Sequence, residues 1–188
     1  SPVYLRFPNG QLPNPADSGG IGTAPNRELF GETYRVFPTT LGLTVAAKQR
    51  DWNTLLDPPP APPRAFTLPA VTSRNLESTR MAILKSGRWQ VFVHYGQLTR
   101  SHSQSEALNY SAFFGDTDIT HDSGTVGYGS PLYKGYYTRG LNHNVPLVGG
   151  EGQSGIGRGE LRSYSTAPAR IAVAQPKYRD TIGAARTL

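Results

Sequence analysis

Hydrophobic and polar positions follow two different periods along this chain, and the change between them predicts how it is organised. Between residues 27 and 56, apolar side chains recur at roughly helical spacing. Pro38 interrupts this run, so we predict two short helices in place of one. From residue 81 onward the period falls to two. Residues 89–95 (WQVFVHY) are typical of a half-buried strand.

Short apolar runs separated by glycine-containing turns predict further strands. Residues 85–88 (KSGR) and the pair Gly115 and Asp116 have turn composition. The predicted strands are residues 81–84, 89–95, 108–114, 119 onward, 145–148, 161–164 and 171–174. We therefore predict a mainly β fold, an antiparallel β-sandwich preceded by a short helical segment.

A proline-rich stretch at residues 57–64 (DPPPAPPR) predicts a stiff, extended connector. It divides the chain into an irregular and helical segment, residues 1–63, and an incomplete β-sandwich, residues 64–188. Residues 1–26, rich in Pro, Gly and Asn, are predicted to be an irregular surface segment. Residues 183–188 have the composition of a strand that is only beginning, and it would lack a partner. We expect the native protein to be longer than this chain, or to pair with another chain.

The charge of the chain favours an anionic partner. The net charge is +6 and the pI about 9.7, but the basic residues are scattered and form no basic helix. An acidic polysaccharide or oligosaccharide therefore ranks ahead of nucleic acid as a partner. The absence of cysteine excludes disulfides and thiolate metal sites. Since no apolar run has the length of a membrane span, we expect no membrane partner.

The residue types that carry acid–base chemistry concentrate in one block of the sequence. All four histidines lie between His94 and His143, and four tyrosines lie between Tyr128 and Tyr137. One reaction that needs these residue types is the breakage of a uronate polymer after removal of the C5 proton of the sugar. It needs a group that neutralises the uronate carboxylate, a base that takes the proton, and an acid that protonates the departing glycosidic oxygen. Histidine and tyrosine can supply the last two. By residue type alone, structural or surface roles are the more frequent explanation for histidine and tyrosine in a sandwich.

Five short motifs in this block occur in a specific order. They are HYG at residues 94–96, SHSQSE at 101–106, DSGT at 122–125, YG at 128–129 and NHN at 142–144, with a glutamine following at Gln153. In this order they resemble the heparinase II/III-like polysaccharide lyases. Residues 9–18 are similar to the segment of that family that joins a helical toroid to its sandwich.

The resemblance implies a fold, an activity and a location. Lyases of this group place an α/α toroid before the sandwich and cleave acidic polysaccharides by β-elimination in the cleft between them. The helical segment would then be the end of a toroid, whose own catalytic residues have no match here and must come from another segment or chain. The implied substrate is a uronate polymer, alginate slightly ahead of a glycosaminoglycan, and the implied location is periplasmic or secreted.

The resemblance also implies roles for single residues. His102 matches a histidine that contacts the uronate or transfers a proton, and Tyr128 matches a tyrosine that contacts substrate or donates a proton. Tyr136 and Tyr137 are rivals for that second role, and we include Tyr137 among the catalytic candidates. The candidate substrate-binding residues are Arg139, Asn144 and Glu106. The alternatives are a surface histidine and a stacked core tyrosine.

Asp122 and His143 match two ligands of a structural metal, usually zinc, that several members of the group contain. Gln104 stands where a further histidine is expected, and glutamine is a poor zinc ligand compared with imidazole. His121 is a candidate substitute. The alternative is an Asp–His hydrogen bond without metal. In either case we predict that the Asp122 and His143 side chains lie close together.

Three functions follow from these patterns. The first is a polysaccharide lyase. The second is a noncatalytic carbohydrate-binding sandwich derived from such a lyase, which Gln104 favours while His102, Tyr128 and His143 favour the enzyme. The third, a nucleic-acid binder, depends on charge alone.

Overall fold

The computed structural model describes residues 2–18, 34, 40–65, 67–147 and 150–178. Much of the predicted helical stretch lies outside these ranges. Its described part contains two short helices, α1 (Thr40–Ala46) and α2 (Trp52–Leu56). The start of α2 is fixed by a capping box, in which the Thr54 backbone N–H donates to the Asp51 carboxylate at 2.8 Å and the Asp51 N–H donates to the Thr54 hydroxyl at 3.1 Å.

Seven antiparallel strands in two sheets make up most of the regular secondary structure among the described residues, which confirms the predicted mainly β class. The five-stranded sheet has the order β1–β2–β3–β4–β5 and the two-stranded sheet pairs β6 with β7. The strands are β1 (Arg74–Leu76), β2 (Met81–Ser86), β3 (Trp89–His94), β4 (Asn109–Phe114), β5 (Thr117–Thr120), β6 (Glu160–Thr166) and β7 (Ala169–Ala174).

Glycine permits the tight turns that the sequence predicts. Gly87 lies between β2 and β3 with φ of 53°, and Gly115 lies between β4 and β5 with φ of 60°. These are left-handed conformations that glycine adopts without a steric cost. Each turn joins neighbouring strands, so the order of the five-stranded sheet follows the order of the sequence.

The two sheets pack against each other through one face of β3. Val93 and Tyr95 form a buried cluster with Leu108, Val173 and Tyr178, to which Val91, Leu161 and Ile171 add partly buried side chains. Alternate residues of β3 supply this face, as the period of two predicts. The cluster is the apolar core between the sheets.

The opposite face of the five-stranded sheet is covered by the N-terminal segment. Phe7 stacks on Phe113 with ring centroids 4.8 Å apart and meets Phe92 edge-on at 6.4 Å. The Gln90 side chain donates to the Arg6 carbonyl at 2.8 Å. The start of the chain is therefore not only a surface segment, because Phe7 is almost completely buried.

The chain divides into two compact units, Ser1–Thr23 with Val71–Leu188, and Ala24–Ala70. The first unit contains both sheets together with the described residues 2–18. The second unit contains α1, α2 and the proline-rich stretch. The predicted division at residues 63 and 64 thus falls inside the second unit.

The strand predicted at residues 145–148 is wrong for its described part. Residues 145–147 are irregular, because Pro146 has no N–H to give to a strand ladder. Residues 183–188, the other predicted strand start, lie outside the described residues. Among the described residues, no helix has the length and apolar character needed to cross a membrane.

Candidate functional site

Asp17, His102 and Tyr128 form one hydrogen-bonded cluster on the first unit. Nδ1 of His102 lies 2.9 Å from Oδ2 of Asp17 and 2.9 Å from the Tyr128 hydroxyl, which itself donates to Oδ2 of Asp17. The Tyr133 ring packs edge-on against Tyr128, with centroids 4.9 Å apart. The Asp17 carboxylate is buried at the base of the cluster, whereas the His102 and Tyr128 side chains are largely exposed. The cluster thus presents an imidazole and a phenol to solvent on a fixed carboxylate.

Left-handed backbone positions aim two of these side chains. Ala16, directly before Asp17, has φ of 61°, and His102 itself has φ of 60°. Residues other than glycine rarely adopt this conformation, which costs about 1–3 kcal/mol and is frequent at functional sites. The turn that carries Asp17 is closed by the Ser18 hydroxyl, which donates to the Pro15 carbonyl at 2.6 Å.

Buried glutamines hold the loop that carries His102. The Gln97 amide donates to the Gln104 carbonyl at 3.0 Å, and the Gln153 amide donates to Oε1 of Gln97 at 3.0 Å. Oε1 of Gln153 accepts the Ala107 N–H at 2.8 Å. Since all three glutamines are buried, these bonds fix both ends of the loop and leave its tip, with His102, at the surface.

The hydrogen bonds of the cluster shift two pKa values in opposite directions. Burial alone would raise the pKa of Asp17, but the hydrogen bonds from Tyr128 and His102 outweigh it, and the pKa is lowered. The hydrogen bond to Asp17 raises the pKa of Tyr128 to about 12. Asp17 is therefore a carboxylate and Tyr128 a neutral phenol at neutral pH. With Nδ1–H directed at Asp17, a neutral His102 has its proton-accepting lone pair on Nε2.

A second cluster, of Glu106, Asp122 and His143, is buried. Nδ1 of His143 lies 2.8 Å from Oδ2 of Asp122, so the predicted proximity of these two side chains is confirmed. Ligand atoms of all three residues lie within 4.8 Å of one another. Asp122 follows β5, and His143 follows a 3₁₀ turn, Gly140–Asn142. The donor set of two carboxylates and an imidazole fits the structural metal that the resemblance implies.

The orientation of His143 is fixed from both sides. Nε2 donates to the Tyr137 carbonyl at 3.1 Å, while Nδ1 faces Asp122. Burial alone would lower the pKa of His143, but the hydrogen bond to Asp122 and its charge outweigh it, and the pKa is raised. The structure therefore accommodates a hydrogen-bonded Asp–His ion pair as well as a ligand arrangement.

Two residues lie away from the positions that their predicted roles would require. Glu106, a candidate for substrate binding, is completely buried and joins Asp122 and His143, because it precedes the buried turn into β4. His121, a candidate metal ligand, is half-exposed and its Nδ1 lies 2.6 Å from the Asp118 carboxylate. Side chains alternate along extended chain, so His121 and its neighbour Asp122 point apart.

The remaining candidates, Tyr137, Arg139 and Asn144, lie within a few positions of His143 in the chain. Tyr137 ends a short π-helical turn, Tyr133–Tyr137, and contacts the Tyr136 ring edge-on at 5.3 Å. Arg139 is exposed, with its guanidinium 3.9 Å from the Glu151 carboxylate. The Asn144 amide donates to the carbonyls of Tyr110 and His121, at 3.0 and 3.2 Å. Asn144 thus links the start of β4 to the residue that follows β5. Of Tyr137, Arg139 and Asn144, Arg139 carries an exposed charge.

Asp17 is the site residue that the sequence did not single out. It precedes His102 by 85 positions, and the proline-rich segment around it has no strand or helix period. The signal that could have found it is the similarity of residues 9–18 to a family segment. That similarity indicates the segment, while only the fold brings its carboxylate to His102.

Solved structures of polysaccharide lyases share this fold. Heparan sulfate lyase HepC from Pedobacter heparinus has a TM-score of 0.63 at 14% identity, and the match covers 94% of this chain and 27% of that one. A structure of heparinase III has a TM-score of 0.66 at 14% identity, with 93% and 29% covered. No protein-family model matches the sequence, and no curated protein matches it significantly. The chain therefore has a heparinase III-like fold and spans less than a third of the length of these enzymes.

Proposed function

We propose that this chain is part of a polysaccharide lyase that cleaves a uronate-containing acidic polysaccharide by β-elimination. The observation that carries the proposal is the Asp17–His102–Tyr128 cluster, exposed on a heparinase III-like fold. The net charge of +6 suits an anionic polymer. Such polymers lie outside the cytoplasm, so the proposal includes a periplasmic or secreted location.

In this proposal His102 is the base. Its Nδ1–H is held by Asp17, which orients the ring and stabilises the imidazolium that forms. Nε2 takes the C5 proton of the uronate, and the electron pair of the C–H bond spreads into the carboxyl group. The pair then forms the C4–C5 double bond while the bond from C4 to the glycosidic oxygen breaks. The products are an unsaturated uronate end and a new hydroxyl end.

Tyr128 is the proposed acid. Because its pKa is raised to about 12, it retains its proton at neutral pH and is a poor base. It remains a stronger acid than a sugar hydroxyl and can protonate the departing glycosidic oxygen. With substrate bound, its hydroxyl would turn from Asp17 to that oxygen. Solvent then returns a proton to Tyr128 and takes the abstracted proton from Nε2 of His102, which restores both groups.

The substrate carboxylate must be neutralised for C5 to lose its proton. Arg139 is the proposed partner, because its guanidinium is exposed and can bind a carboxylate with two parallel hydrogen bonds. The chain spans only 27–29% of the length of the similar lyases. We propose that another segment or chain completes the substrate cleft.

The test is product formation by the complete protein. Purified protein is incubated with a panel of alginate, heparan sulfate and other glycosaminoglycans, and the ultraviolet absorbance of the unsaturated uronate is followed. The proposal predicts absorbance growth with at least one uronate polymer and none with a neutral glucan. Growth with none of the uronate polymers contradicts it.

A noncatalytic carbohydrate-binding sandwich is the second candidate. The exposed rings of Tyr128 and Tyr136, with Tyr133 edge-on to the former, suit stacking against sugars without any chemistry. Binding to an immobilised acidic polymer without absorbance growth would favour this candidate over the lyase.

A further inference from the structure

Trp89, at the tip of the β2–β3 hairpin, forms an open aromatic surface with Phe114. Trp89 is 47% exposed, and its ring lies against that of Phe114 with centroids 5.0 Å apart and planes tilted by 56°. The two residues pair directly across β3 and β4, so both rings project from the same face of the five-stranded sheet. We call these two rings the aromatic platform.

A guanidinium lies beside the aromatic platform. The guanidinium carbon of Arg88 is 4.4 Å from the centroid of the Phe114 ring. The same side chain lies against the β4–β5 turn, since a Cβ at Gly115 would be 2.7 Å from its Nη2. In the part of the chain that the structure describes, no carboxylate forms an ion pair with Arg88. A ring and a turn therefore position an exposed charge that no protein carboxylate neutralises.

The acidic residue of β5 lies on the other face of the sheet. Asp118 pairs with Phe113, whose ring stacks on Phe7, and the Asp118 carboxylate is 2.6 Å from Nδ1 of His121. Alternate residues of a strand point to opposite faces, so Asp118 projects away from the platform. The platform side of this strand thus presents no carboxylate that would repel an anion.

A third exposed ring lies further along β4. Tyr110 is 41% exposed and pairs with Val93, which faces the same side of the sheet as Trp89. At the usual rise of a strand, Tyr110 lies about 13 Å from Phe114 along β4. The exposed rings therefore follow one strand over the length of a few sugar rings.

The aromatic platform lies at the far end of the sheet from His102. The loop that carries His102 leaves the end of β3 and returns at the start of β4, whereas Trp89 begins β3 and Phe114 ends β4. The six residues of β3 separate these two ends by about 17 Å. A sugar on the platform is thus remote from the Asp17–His102–Tyr128 cluster.

We propose that Trp89, Phe114 and Arg88 form a second binding site for an acidic polysaccharide. One sugar stacks its C–H face on Trp89, and the Arg88 guanidinium binds a carboxylate or sulfate group with two parallel hydrogen bonds. Tyr110 extends the contact along β4. The inference rests on the proposed function for the kind of polymer, but it needs none of the lyase chemistry. The site holds a long polymer on the protein between cleavage events.

The experiment measures binding of the complete protein to immobilised alginate and heparan sulfate. All variants carry His102→Ala, so that the polymer stays intact. Adding Trp89→Ala or Arg88→Gln should raise the Kd for at least one polymer at least about fivefold, the scale of one lost stacking or charge-assisted contact. Trp52→Ala, at the other tryptophan of the chain, which is 75% exposed, is the matched control and should leave the Kd unchanged.

Kinetics with His102 intact separate this site from the proposed chemistry. Trp89→Ala should raise KM for a long polymer severalfold and leave kcat/KM unchanged for an oligosaccharide too short to reach the platform. If no uronate polymer yields the unsaturated product, the lyase proposal fails, and the binding measurement still decides the second site.

Three results would overturn the second site. They are no binding of either polymer, a Kd for Trp89→Ala or Arg88→Gln equal to that of the parent protein, and an equal loss of affinity in Trp52→Ala. If thermal unfolding shows that Trp89→Ala does not fold, Arg88→Glu decides, because this residue lies in an exposed turn. Lost affinity in Arg88→Glu then supports the site, and retained affinity rejects it.

Discussion

The imidazole of His102 and the carboxylate of Asp17 meet at 2.9 Å although 85 positions separate them in the chain. His102 lies on a loop held by buried glutamines, and Asp17 on a turn of the N-terminal segment. Packing of that segment on the five-stranded sheet, through Phe7, brings the two together. The orientation of the candidate base therefore depends on a part of the chain far from its own motif.

Replacing Asp17 by Asn should impair turnover more than binding. The amide keeps the shape but cannot stabilise an imidazolium, and it permits the wrong tautomer of His102. We expect kcat to fall at least about tenfold with a smaller change in KM. Steady-state kinetics of the complete protein measure this. A change confined to KM would assign Asp17 to substrate binding instead.

Tyr128 should resist ionisation. Its pKa is raised to about 12 by the hydrogen bond to Asp17, so the neutral form is favoured in the folded state. The stabilisation is present below the ordinary value of 10.0 and is lost as the pH rises towards 12. The ultraviolet titration of the wild type minus that of Tyr128→Phe isolates this group. In an Asp17→Asn background its midpoint should fall towards the ordinary value, and equal midpoints in both backgrounds would contradict the assignment.

His102→Ala should lower turnover of the complete protein by about two orders of magnitude or more, the usual scale for a proton-transfer group. Stability should change little, since the His102 side chain is largely exposed. His121→Ala, another exposed histidine paired with an aspartate, is the control and should retain wild-type turnover. Wild-type turnover in His102→Ala would exclude His102 from catalysis.

Gly96→Ala should destabilise the fold. A Cβ at Gly96 would lie 1.9 Å from the Arg158 carbonyl oxygen, where β3 leaves the sheet beside the segment leading to β6. Both sides of this contact are backbone and cannot move apart cheaply, so we expect a loss of about 3 kcal/mol in the free energy of unfolding. Chemical denaturation measures it. Gly135→Ala, where a Cβ would meet nothing within 4 Å, should cost far less.

Local patterns predicted the strands well, because alternation and turn glycines are properties of neighbouring residues. The β2–β3 turn at Gly87 and the β4–β5 turn at Gly115 follow directly from the sequence. The pair Asp122 and His143 was also predictable, from the order of motifs. The strand predicted at residues 145–148 was wrong because the run has the apolar composition of a strand, but Pro146 within it has no backbone N–H to donate to a neighbouring strand.

Contacts between distant segments could not be predicted in this way. No period marks Asp17, and the sequence gives no sign that Phe7 would cover Phe92 and Phe113. Glu106 shows the same limit. The sequence analysis placed it among the candidate substrate-binding residues, whereas the fold buries it beside Asp122 and His143. Burial depends on which segments cover a position, and that information is spread over the whole chain.

The N-terminal segment has a practical consequence for anyone who recombines this protein with its relatives. A chimera joined at the proline-rich stretch would take Phe7 and Asp17 from one parent, and Phe113 and His102 from the other. In such a hybrid the N-terminal segment would not match the sheet surface that it covers, and His102 would face an Asp17 position from the other parent. Crossover points that keep residues 2–18 from the same parent as the sheets avoid both faults, even though the two stretches are far apart in the gene.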